Sequence, residues 1–239
     1  MNLRRSGAAP LVIGHRGAAA VAPENTLAAL RAGVEAGADL VEFDVAADLQ
    51  LAHSHREVPE RAISLDDALA FIRETTTGAH VDVKLPGYEG EVVDAVRRHG
   101  LEERVVLSSA YPETIRRIAG LAPELSRAIG YPLDRFDLSR APWPGFVAAG
   151  GRVALRKTMH LLVPRLLRRS CANVLSLHHT LCTPAAVEAS HREGAPVLAW
   201  TANTVTDVAR LVAAGVDAIV SDDPALVLRT LTAGYTPTL

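Results

Sequence analysis

The chain has 239 residues, of which 49% are hydrophobic, and its formal net charge at pH 7 is −2. This length is typical of one barrel-sized domain, and a charge so close to neutral excludes a global field that would attract nucleic acid or an anionic membrane. The two cysteines, Cys171 and Cys182, are too few for a disulfide framework and lack metal-ligand spacing. The apolar run after Pro10 breaks at Gly14, too early for a secretion signal or a membrane span, so we expect a cytoplasmic protein without stable membrane insertion.

Short runs rich in Val, Ile and Leu alternate along the chain with segments of helical periodicity. The predicted strands cover residues 11–15, 39–45, 80–85, 105–109, 127–130, 174–178, 196–201 and 218–222. Strands that are each followed by a helix indicate a parallel sheet covered by helices. About eight such units predict an α/β protein with a TIM (β/α)8 barrel, in a single domain over residues 1–239 with a core of about 10–232. An open doubly wound sheet is the alternative, although it usually has fewer strands.

Two helix starts carry a capping signal. Ser64 precedes Asp67 by three residues, and Thr204 precedes Asp207 by three, which is the spacing of a capping box. We therefore expect helices to begin directly after Ser64 and directly after Thr204.

The segment from residue 132 to 172 is the least regular part of the chain. Residues 142–144, Pro-Trp-Pro, predict a loop, and residues 152–169 predict a helix that Pro164 should kink or end. Apolar residues between positions 159 and 167 stand beside several arginines. They favour an ordinary barrel helix with a solvated arginine face, and a lid or a lipid-facing surface is the alternative.

Three carboxylates are expected to meet at the carboxyl end of the barrel, where TIM barrels carry their sites. Glu42 and Asp44 lie two residues apart at the end of the second predicted strand, so their side chains share one side, and Asp82 lies on the third. Carboxylates packed together repel one another unless a cation offsets their charge. Because oxygen ligands suit hard ions, the sequence predicts a site for Mg²⁺ or Ca²⁺, with Mn²⁺ as a further candidate.

Two histidines and two cationic side chains are expected beside these carboxylates. His15 and Arg16 end the first predicted strand, His53 follows a short excursion after the second, and Lys84 lies on the third. Histidine titrates near neutral pH, so His15 and His53 are candidates for an acid–base pair. His55 is the alternative to His53, which we favour because the hairpin should carry the first of the two inward. With a metal ion, these groups fit the cleavage of an anionic phosphate ester, in which one histidine takes a proton and the other gives one.

The remaining histidines lack such neighbours. His178 and His179 end a predicted strand and are candidates for lining the pocket, with no role assigned. We interpret four others as structural or surface residues: His80, at a predicted strand start, His99, His160 and His191.

Together, the motifs resemble the glycerophosphodiester phosphodiesterase family over residues 14–224. The matching segments are Gly14-His15-Arg16-Gly17-Ala18, Pro23-Glu24-Asn25-Thr26, Gly37-Ala38-Asp39 leading to Glu42 and Asp44-Val45, Ser108-Ser109, Trp200-Thr201 with Asn203, and Gly215-Val216-Asp217 leading to Ser221-Asp222-Asp223-Pro224. The resemblance implies a TIM barrel that hydrolyses glycerophosphodiesters to glycerol 3-phosphate and an alcohol with a divalent metal ion. It also implies that the glycerol hydroxyl of the substrate attacks first and forms a cyclic phosphate. The implied site comprises an acid–base pair (His15, His53), metal ligands (Glu42, Asp44, Asp82), phosphate contacts (Arg16, Lys84) and a pocket aromatic (Trp200).

The chain departs from the family pattern around two of these residues. Asp82 stands where the family usually has Glu, which should lengthen or reshape that metal contact. Ser54 follows His53 where the family usually has Asp, and the connections on both sides of His53 are short. We therefore expect a more open site that accepts bulkier or different alcohols.

The leading functional prediction is a metal-dependent hydrolase of a small glycerophosphodiester or lysophospholipid, with no nucleic-acid partner. The first alternative is a phospholipase D-like enzyme or cyclising lyase acting on lysophospholipid or sphingolipid. It requires an apolar pocket mouth, for which residues 161–167 are the candidate. The second alternative is a ligand-binding barrel without activity, against which the presence of both histidines and all three carboxylates argues. No sequence feature predicts the oligomeric state.

Overall fold

The computed structural model describes residues 1, 3, 9–53, 62–132 and 145–234, with the backbone alone for residues 145–152. Its eight strands close into a barrel in which each strand pairs in parallel with its neighbours along the chain, and β8 pairs with β1. The strands are β1 Leu11–Gly14, β2 Leu40–Val45, β3 Gly78–Val83, β4 Val105–Ser109, β5 Ser126–Tyr131, β6 Val174–His178, β7 Val197–Trp200 and β8 Ala218–Ser221. The predicted TIM barrel is thus confirmed, and β3 begins and ends two residues earlier than predicted.

A helix follows each strand and covers the outside of the barrel. The helices are α1 Leu27–Glu35, α2 Leu65–Arg73, α3 Glu89–Arg98, α4 Pro112–Leu121, α5 Gly145–Ser170, α6 Pro184–Arg192, α7 Val205–Ala214 and α8 Pro224–Thr232, with a 3-10 turn at His179–Leu181. Both capping predictions are confirmed. Ser64 and Asp67 form a complete capping box at α2, and the Thr204 side chain accepts the backbone N–H of Asp207 at α7.

The sequence predicts that Pro164 kinks or ends the helix. Helix α5 continues through Pro164, so this proline does not end the helix. Met159, Val163 and Leu167 recur every four residues and are buried on one face of the helix. Burial of this face outweighs the one backbone hydrogen bond that proline removes. The loop predicted at residues 142–144 lies outside the described residues. In the part of the chain that the structure describes, no helix, α5 included, has the length and apolarity needed to cross a membrane.

The interior of the barrel has an apolar floor and a polar mouth. Alternate strand residues face inward, and the inward residues nearest the amino ends of the strands form an apolar cluster: Ile13, Leu40, Val106, Ala128, Val174, Leu198, Ala218 and Val220. Two residues further along β2 and β4, the inward positions become polar. Glu42 follows Leu40, and Ser108 follows Val106. The carboxyl ends of the strands therefore surround a polar site, as the fold predicts.

Candidate active site

The loop after β1 brings Arg16 to the barrel mouth through an uncommon backbone conformation. Arg16 has a φ of 49° and Gly17 a φ of 91°, both in the left-handed region. A Cβ atom on Gly17 would lie 2.3 Å from the carbonyl carbon of Ala29 in α1, so only glycine lets the loop pass this close to the helix. The backbone N–H of Arg16 donates to Glu42 Oε2 at 2.7 Å, and that of Gly17 donates to the Glu42 carbonyl oxygen at 2.8 Å. The loop is therefore tied to the strand that carries the carboxylates.

His15 is oriented by a carboxylate from the end of β8. Its Nδ1 lies 2.5 Å from Asp222 Oδ1, and its Nε2 lies 3.9 Å from Glu42 Oε2. Asn203 fixes Asp222 in turn, since Asn203 Nδ2 donates to Oδ2 at 2.5 Å and Asn203 Oδ1 accepts the Asp222 backbone N–H at 2.9 Å. Burial lowers the pKa of His15, but the hydrogen bond with Asp222 and the charge of Glu42 outweigh it and leave the pKa raised. The nitrogen that faces the site is therefore Nε2, on a ring that readily holds a proton.

Asp44 is a buried carboxylate surrounded by donors. Lys84 Nζ lies 2.9 Å from Oδ1, while Asn25 Nδ2 donates to Oδ2 at 3.1 Å and Arg16 Nε lies 3.2 Å from the same oxygen. Asn25 Oδ1 also accepts the backbone N–H of Asp44 at 3.0 Å. Burial alone would raise the pKa of Asp44, but Lys84, His53 and Arg16 together hold it well below its usual value. The charged form of Asp44 is therefore favoured by the cations around it.

His53 reaches the same group from the segment after β2. Its Nδ1 lies 2.9 Å from Arg16 Nη2 and 3.1 Å from Asp44 Oδ2. The His53 side chain is 50% exposed, so the ring is open to solvent and to a ligand. His55, the alternative, lies outside the described residues.

Asp82 lies beside Asp44 in the register of the sheet, and the two share Lys84. Nζ of Lys84 is 2.9 Å from Asp44 Oδ1 and 2.9 Å from Asp82 Oδ2, and these carboxylates raise the Lys84 pKa against the effect of burial. The other oxygen of Asp82 accepts from the Ser108 hydroxyl at 2.6 Å. The expected convergence of three carboxylates is therefore only partly met, because the ammonium group stands between Asp44 and Asp82. Among the described residues, no three side chains of the metal-binding types lie close enough to hold an ion.

The donor chemistry of Glu42 and Asp44 nevertheless fits a hard divalent cation. Both are nearly inaccessible, with 4% and 2% of their surface exposed. Burial, and then the charge of Asp44, raise the pKa of Glu42 to about 7. The negative charge of ionised Glu42 is therefore not fully balanced by its surroundings. A divalent ion that prefers oxygen ligands would supply the missing positive charge. Asp44 and Asp82 already share the Lys84 ammonium group, so Glu42 is the carboxylate of the three that lacks a cation of this kind.

An open cavity of about 540 Å³ lies next to His15. Arg16, Glu24, Asn203 and Asp222 also line it, and Arg16 Nη1 donates to Glu24 Oε2 at 2.5 Å. A cavity of this size accommodates a small organic ligand.

Trp200 and His178 end neighbouring strands, β7 and β6, on the far side of the barrel from β2 and β3. Trp200 meets His178 edge to face, with the ring centroids 5.1 Å apart. This aromatic pair therefore forms a separate part of the mouth from the charged residues.

The sequence prediction assigned no role to several residues that hold the site together. Asn25 supports Asp44, Asp222 and Asn203 support His15, and Ser108 supports Asp82. Each lies in a matched motif, which was the available signal. The residue that each one binds is visible only in the folded chain.

Residues 15–48 and 79–226 match the sequence model of the Glycerophosphoryl diester phosphodiesterase family, which is more than half of the chain. The chain belongs to this family. Family membership makes it an enzyme of the phosphoric diester hydrolase class. The matched ranges include seven of the eight predicted site residues, whereas His53 falls between the two ranges.

Relatives of the family cover nearly the whole chain. A glycerophosphodiester phosphodiesterase from Caldanaerobacter subterraneus subsp. tengcongensis is 26% identical over 264 residues, which span 94% of this chain and 98% of that protein. Among solved structures, a glycerophosphodiester phosphodiesterase from Parabacteroides distasonis has a TM-score of 0.74 at 18% identity and covers 94% of this chain and 98% of its own. A phosphodiesterase from Oleispira antarctica, solved with the product sn-glycerol-3-phosphate, has a TM-score of 0.72 at 21% identity, over 94% and 97% of the two chains. These likenesses confirm the fold.

Proposed function

We propose that this protein is a glycerophosphodiester phosphodiesterase that releases glycerol 3-phosphate and an alcohol, with a divalent metal ion as cofactor and His15 and His53 as the acid–base pair. The observation that carries the proposal is that two histidines, each against a carboxylate, flank the buried pair Glu42 and Asp44 at one barrel mouth. Family membership supports the phosphodiester substrate class, and the Oleispira structure with its bound product supports glycerol 3-phosphate.

Charge complementarity supports an anionic substrate. Arg16 and Lys84 are held in place by carboxylates, and their side chains are 15% and 21% exposed. Cations that are already oriented lose little entropy when they bind a phosphate, and guanidinium groups match its oxygens. Arg16 and Lys84 are the proposed contacts to the phosphate oxygens, and Trp200 is the proposed aromatic wall of the pocket.

Glu42, Asp44 and Asp82 are the proposed ligands of the metal ion. When bound, a divalent cation offsets the negative charge on the phosphoryl oxygens. Metal binding also favours the ionised form of a carboxyl ligand, which matters most at Glu42 because its pKa is raised to about 7. Mg²⁺, Ca²⁺ and Mn²⁺ are the candidates.

The two histidines supply the two proton transfers of the reaction. One imidazole accepts the proton of the attacking hydroxyl as its oxygen bonds to phosphorus, and the other donates a proton to the alcohol oxygen that leaves. Attack by the glycerol hydroxyl of the substrate gives a cyclic phosphate, which water then opens with the histidine roles reversed. Attack by water gives the same final products in one step. In either route, His15 exchanges its proton at Nε2, since Asp222 occupies Nδ1.

A panel of phosphodiesters, assayed with and without EDTA, tests the proposal. The panel should contain glycerophosphodiesters with choline, ethanolamine and glycerol headgroups, a lysophospholipid and a sphingolipid, each with Mg²⁺, Ca²⁺ or Mn²⁺. We expect glycerol 3-phosphate from at least one glycerophosphodiester, detected by phosphorus NMR, and loss of turnover in EDTA. A stable cyclic phosphate without glycerol 3-phosphate would establish the lyase alternative, and no cleavage at all would establish a binding barrel.

The structure does not favour the lyase over the hydrolase. The apolar residues predicted to form its pocket mouth belong to α5 on the outside of the barrel. Val163 and Leu167 from this segment are buried in the core, whereas Leu161 is 68% exposed. The segment therefore behaves as a barrel helix, as the sequence favoured.

A further inference from the structure

His80 and Ser108 form a buried polar pair next to Asp82. Strand β3 begins at Gly78, so His80 lies within the strand, and its inward side chain is one layer deeper than that of Asp82. His80 is 4% exposed and Ser108 is 2% exposed. Ser108 on β4 pairs in register with Asp82, which puts both side chains at the same level of the barrel. The interpretation of His80 as a residue at a strand start was therefore wrong.

The hydrogen bonds of this pair have a defined direction. Ser108 Oγ lies 2.6 Å from Asp82 Oδ1 and 2.9 Å from His80 Nε2. A carboxylate paired with the Lys84 ammonium only accepts, so the single hydroxyl proton of Ser108 goes to Asp82. Ser108 Oγ must then accept from His80, whose proton is on Nε2. The chain of donors runs from His80 through Ser108 to Asp82.

Packing alone does not explain the imidazole at position 80. Its Nδ1 is buried and has no hydrogen-bond partner among the described residues. The barrel floor next to it is apolar, with Leu40 and Val106 in the inner cluster. An apolar side chain would fill this space without an unsatisfied nitrogen, which is costly to bury. The feature that accounts for a polar ring here is the proton that Nε2 donates to Ser108.

Asp82 depends on these donors for its orientation. Oδ1 accepts from Ser108, and Oδ2 faces Lys84 Nζ, which also contacts Asp44. The Asp82 side chain is 25% exposed, so packing does not enclose its carboxylate. Removal of the Ser108 hydroxyl would leave one oxygen without its donor and the carboxylate free to turn.

We propose that Ser108 and His80 are positioning residues that hold Asp82 with Oδ2 directed to the Lys84 and Asp44 side, where the phosphodiester and its cation bind. This inference rests on the proposed function, because the proposed function makes Asp82 a ligand of the metal ion. Neither residue touches the reacting atoms, and both act through Asp82. Partners that orient a metal-ligating carboxylate typically change metal affinity or activity by roughly 10- to 100-fold.

Three variants on β4 test the role of Ser108. Ser108→Ala removes the hydroxyl, and Ser108→Thr keeps it. Ser109→Ala is the matched control, because Ser109 is also buried and its Oγ donates to the Val83 carbonyl oxygen at 2.7 Å, not to the Asp82 carboxylate. For each variant, isothermal titration calorimetry measures the affinity for Mg²⁺ or Mn²⁺. The kinetic constants kcat and KM are measured with a glycerophosphodiester that the wild type cleaves, and scanning calorimetry gives the melting temperature.

We expect Ser108→Ala to weaken metal binding and lower kcat by roughly tenfold or more, with a smaller change in KM. Ser108→Thr should restore both, and Ser109→Ala should lose stability while keeping the metal affinity and kcat of the wild type. A folded Ser108→Ala protein with wild-type metal affinity and kcat overturns the inference. Equal losses in Ser109→Ala also overturn it, since the effect is then one of strand packing. A wild-type protein that neither binds metal nor cleaves the substrate panel instead overturns the proposed function, and this inference with it.

His80 provides a second pair of variants if Ser108→Ala does not fold. His80→Gln keeps a donor that can reach Ser108, and His80→Leu removes it at similar volume. We expect His80→Leu to reduce metal affinity and kcat and His80→Gln to reduce them less. Identical metal affinity and kcat in the two variants would overturn the role of His80.

Discussion

The two histidines at the barrel mouth are held in different ways. His15 is 20% exposed and is bound at Nδ1 by Asp222, which leaves Nε2 as its exchanging atom. His53 is 50% exposed, and its Nδ1 lies between Arg16 and Asp44. At His15 the hydrogen bond with Asp222 fixes the ring and leaves its pKa raised, whereas His53 is the more exposed of the two rings.

Replacing Asp222 tests this difference through the pH profile. In Asp222→Asn, the pKa of His15 should fall, because the variant lacks the carboxylate whose hydrogen bond raises it. The limb of the kcat/KM profile that His15 governs should therefore move to lower pH. A displaced rising limb identifies His15 as the base, and a displaced falling limb identifies it as the acid. The measurement is kcat/KM from about pH 5 to about pH 9, with His15→Ala as the variant that lacks the limb. Two unmoved limbs would show that Asp222 does not tune His15.

At the scale of the elements, the segment between β2 and α2 carries His53 back to the site. Antiparallel bridges join Val45 to Leu51 and Gln50 to Ser64, so the chain folds back on the end of β2. Ser64 also caps α2, which anchors the end of this segment to a helix that packs on the barrel. The position of His53 therefore depends on a short hairpin and on a helix start.

Loss of the α2 cap should destabilise the protein measurably. Ser64 Oγ accepts the Asp67 backbone N–H at 3.1 Å, and Asp67 Oδ2 accepts from the Ser64 hydroxyl at 2.7 Å. We expect Ser64→Ala to lower the free energy of unfolding by about 1 kcal/mol, because N-cap removal leaves helix N–H groups without a partner. Ser64→Thr should retain most of the stability. The urea midpoint measures both, and an unchanged midpoint for Ser64→Ala would show that the capping box contributes nothing.

For the whole molecule, the polar mouth is a region of unbalanced charge inside a well-packed barrel. Arg16 and Lys84 neutralise Asp44 and Asp82. Among the described residues, the Glu42 side chain accepts a backbone N–H from Arg16 and lies 3.9 Å from the His15 imidazole. Burial and Asp44 therefore raise the pKa of Glu42 to about 7, so the protonation of this carboxyl links the stability of the fold to pH.

Glu42→Gln should remove a pH dependence of stability from the metal-free protein. The pKa of Glu42 is about 7 when folded and 4.5 in its reference state, so folded wild-type protein retains a proton that the unfolded chain releases. The stability associated with that proton is fully present below the reference pKa and is lost as the pH rises through about 7. In EDTA, the free energy of unfolding of Glu42→Gln relative to that of the wild type should therefore increase as the pH rises through this window.

Urea denaturation at the two ends of that window measures the change. Added divalent metal should restore the stability of the wild type at the higher pH, since a ligand stabilises the state that binds it, and should affect Glu42→Gln much less. If the difference in free energy of unfolding between the two proteins is the same at both pH values, the pKa of Glu42 is not raised by folding. Equal stabilisation of both by metal would remove Glu42 from the proposed ligands.

The sequence by itself determined the barrel and the set of side chains at its mouth. Hydrophobic runs alternating with helical periodicity specify parallel strands covered by helices, and the end of each run specifies which residues reach the carboxyl edge. His15, Glu42, Asp44 and Lys84 could be assigned to the mouth in this way. The continuation of α5 through Pro164 could not be predicted in this way. It depends on burial of one helix face, and helix propensity is a local property whereas packing is not.

Only the tertiary structure decided which of these side chains bind one another. His15 and Asp222 are separated by 207 positions, Asp82 and Ser108 by 26, and Asn25 and Asp44 by 19. Strand alternation tells which way a side chain points, but the partner depends on the register and closure of the barrel, which join β8 to β1 and β3 to β4. For the same reason, the imidazole of His80 had no assigned partner until the closed barrel placed it against Ser108.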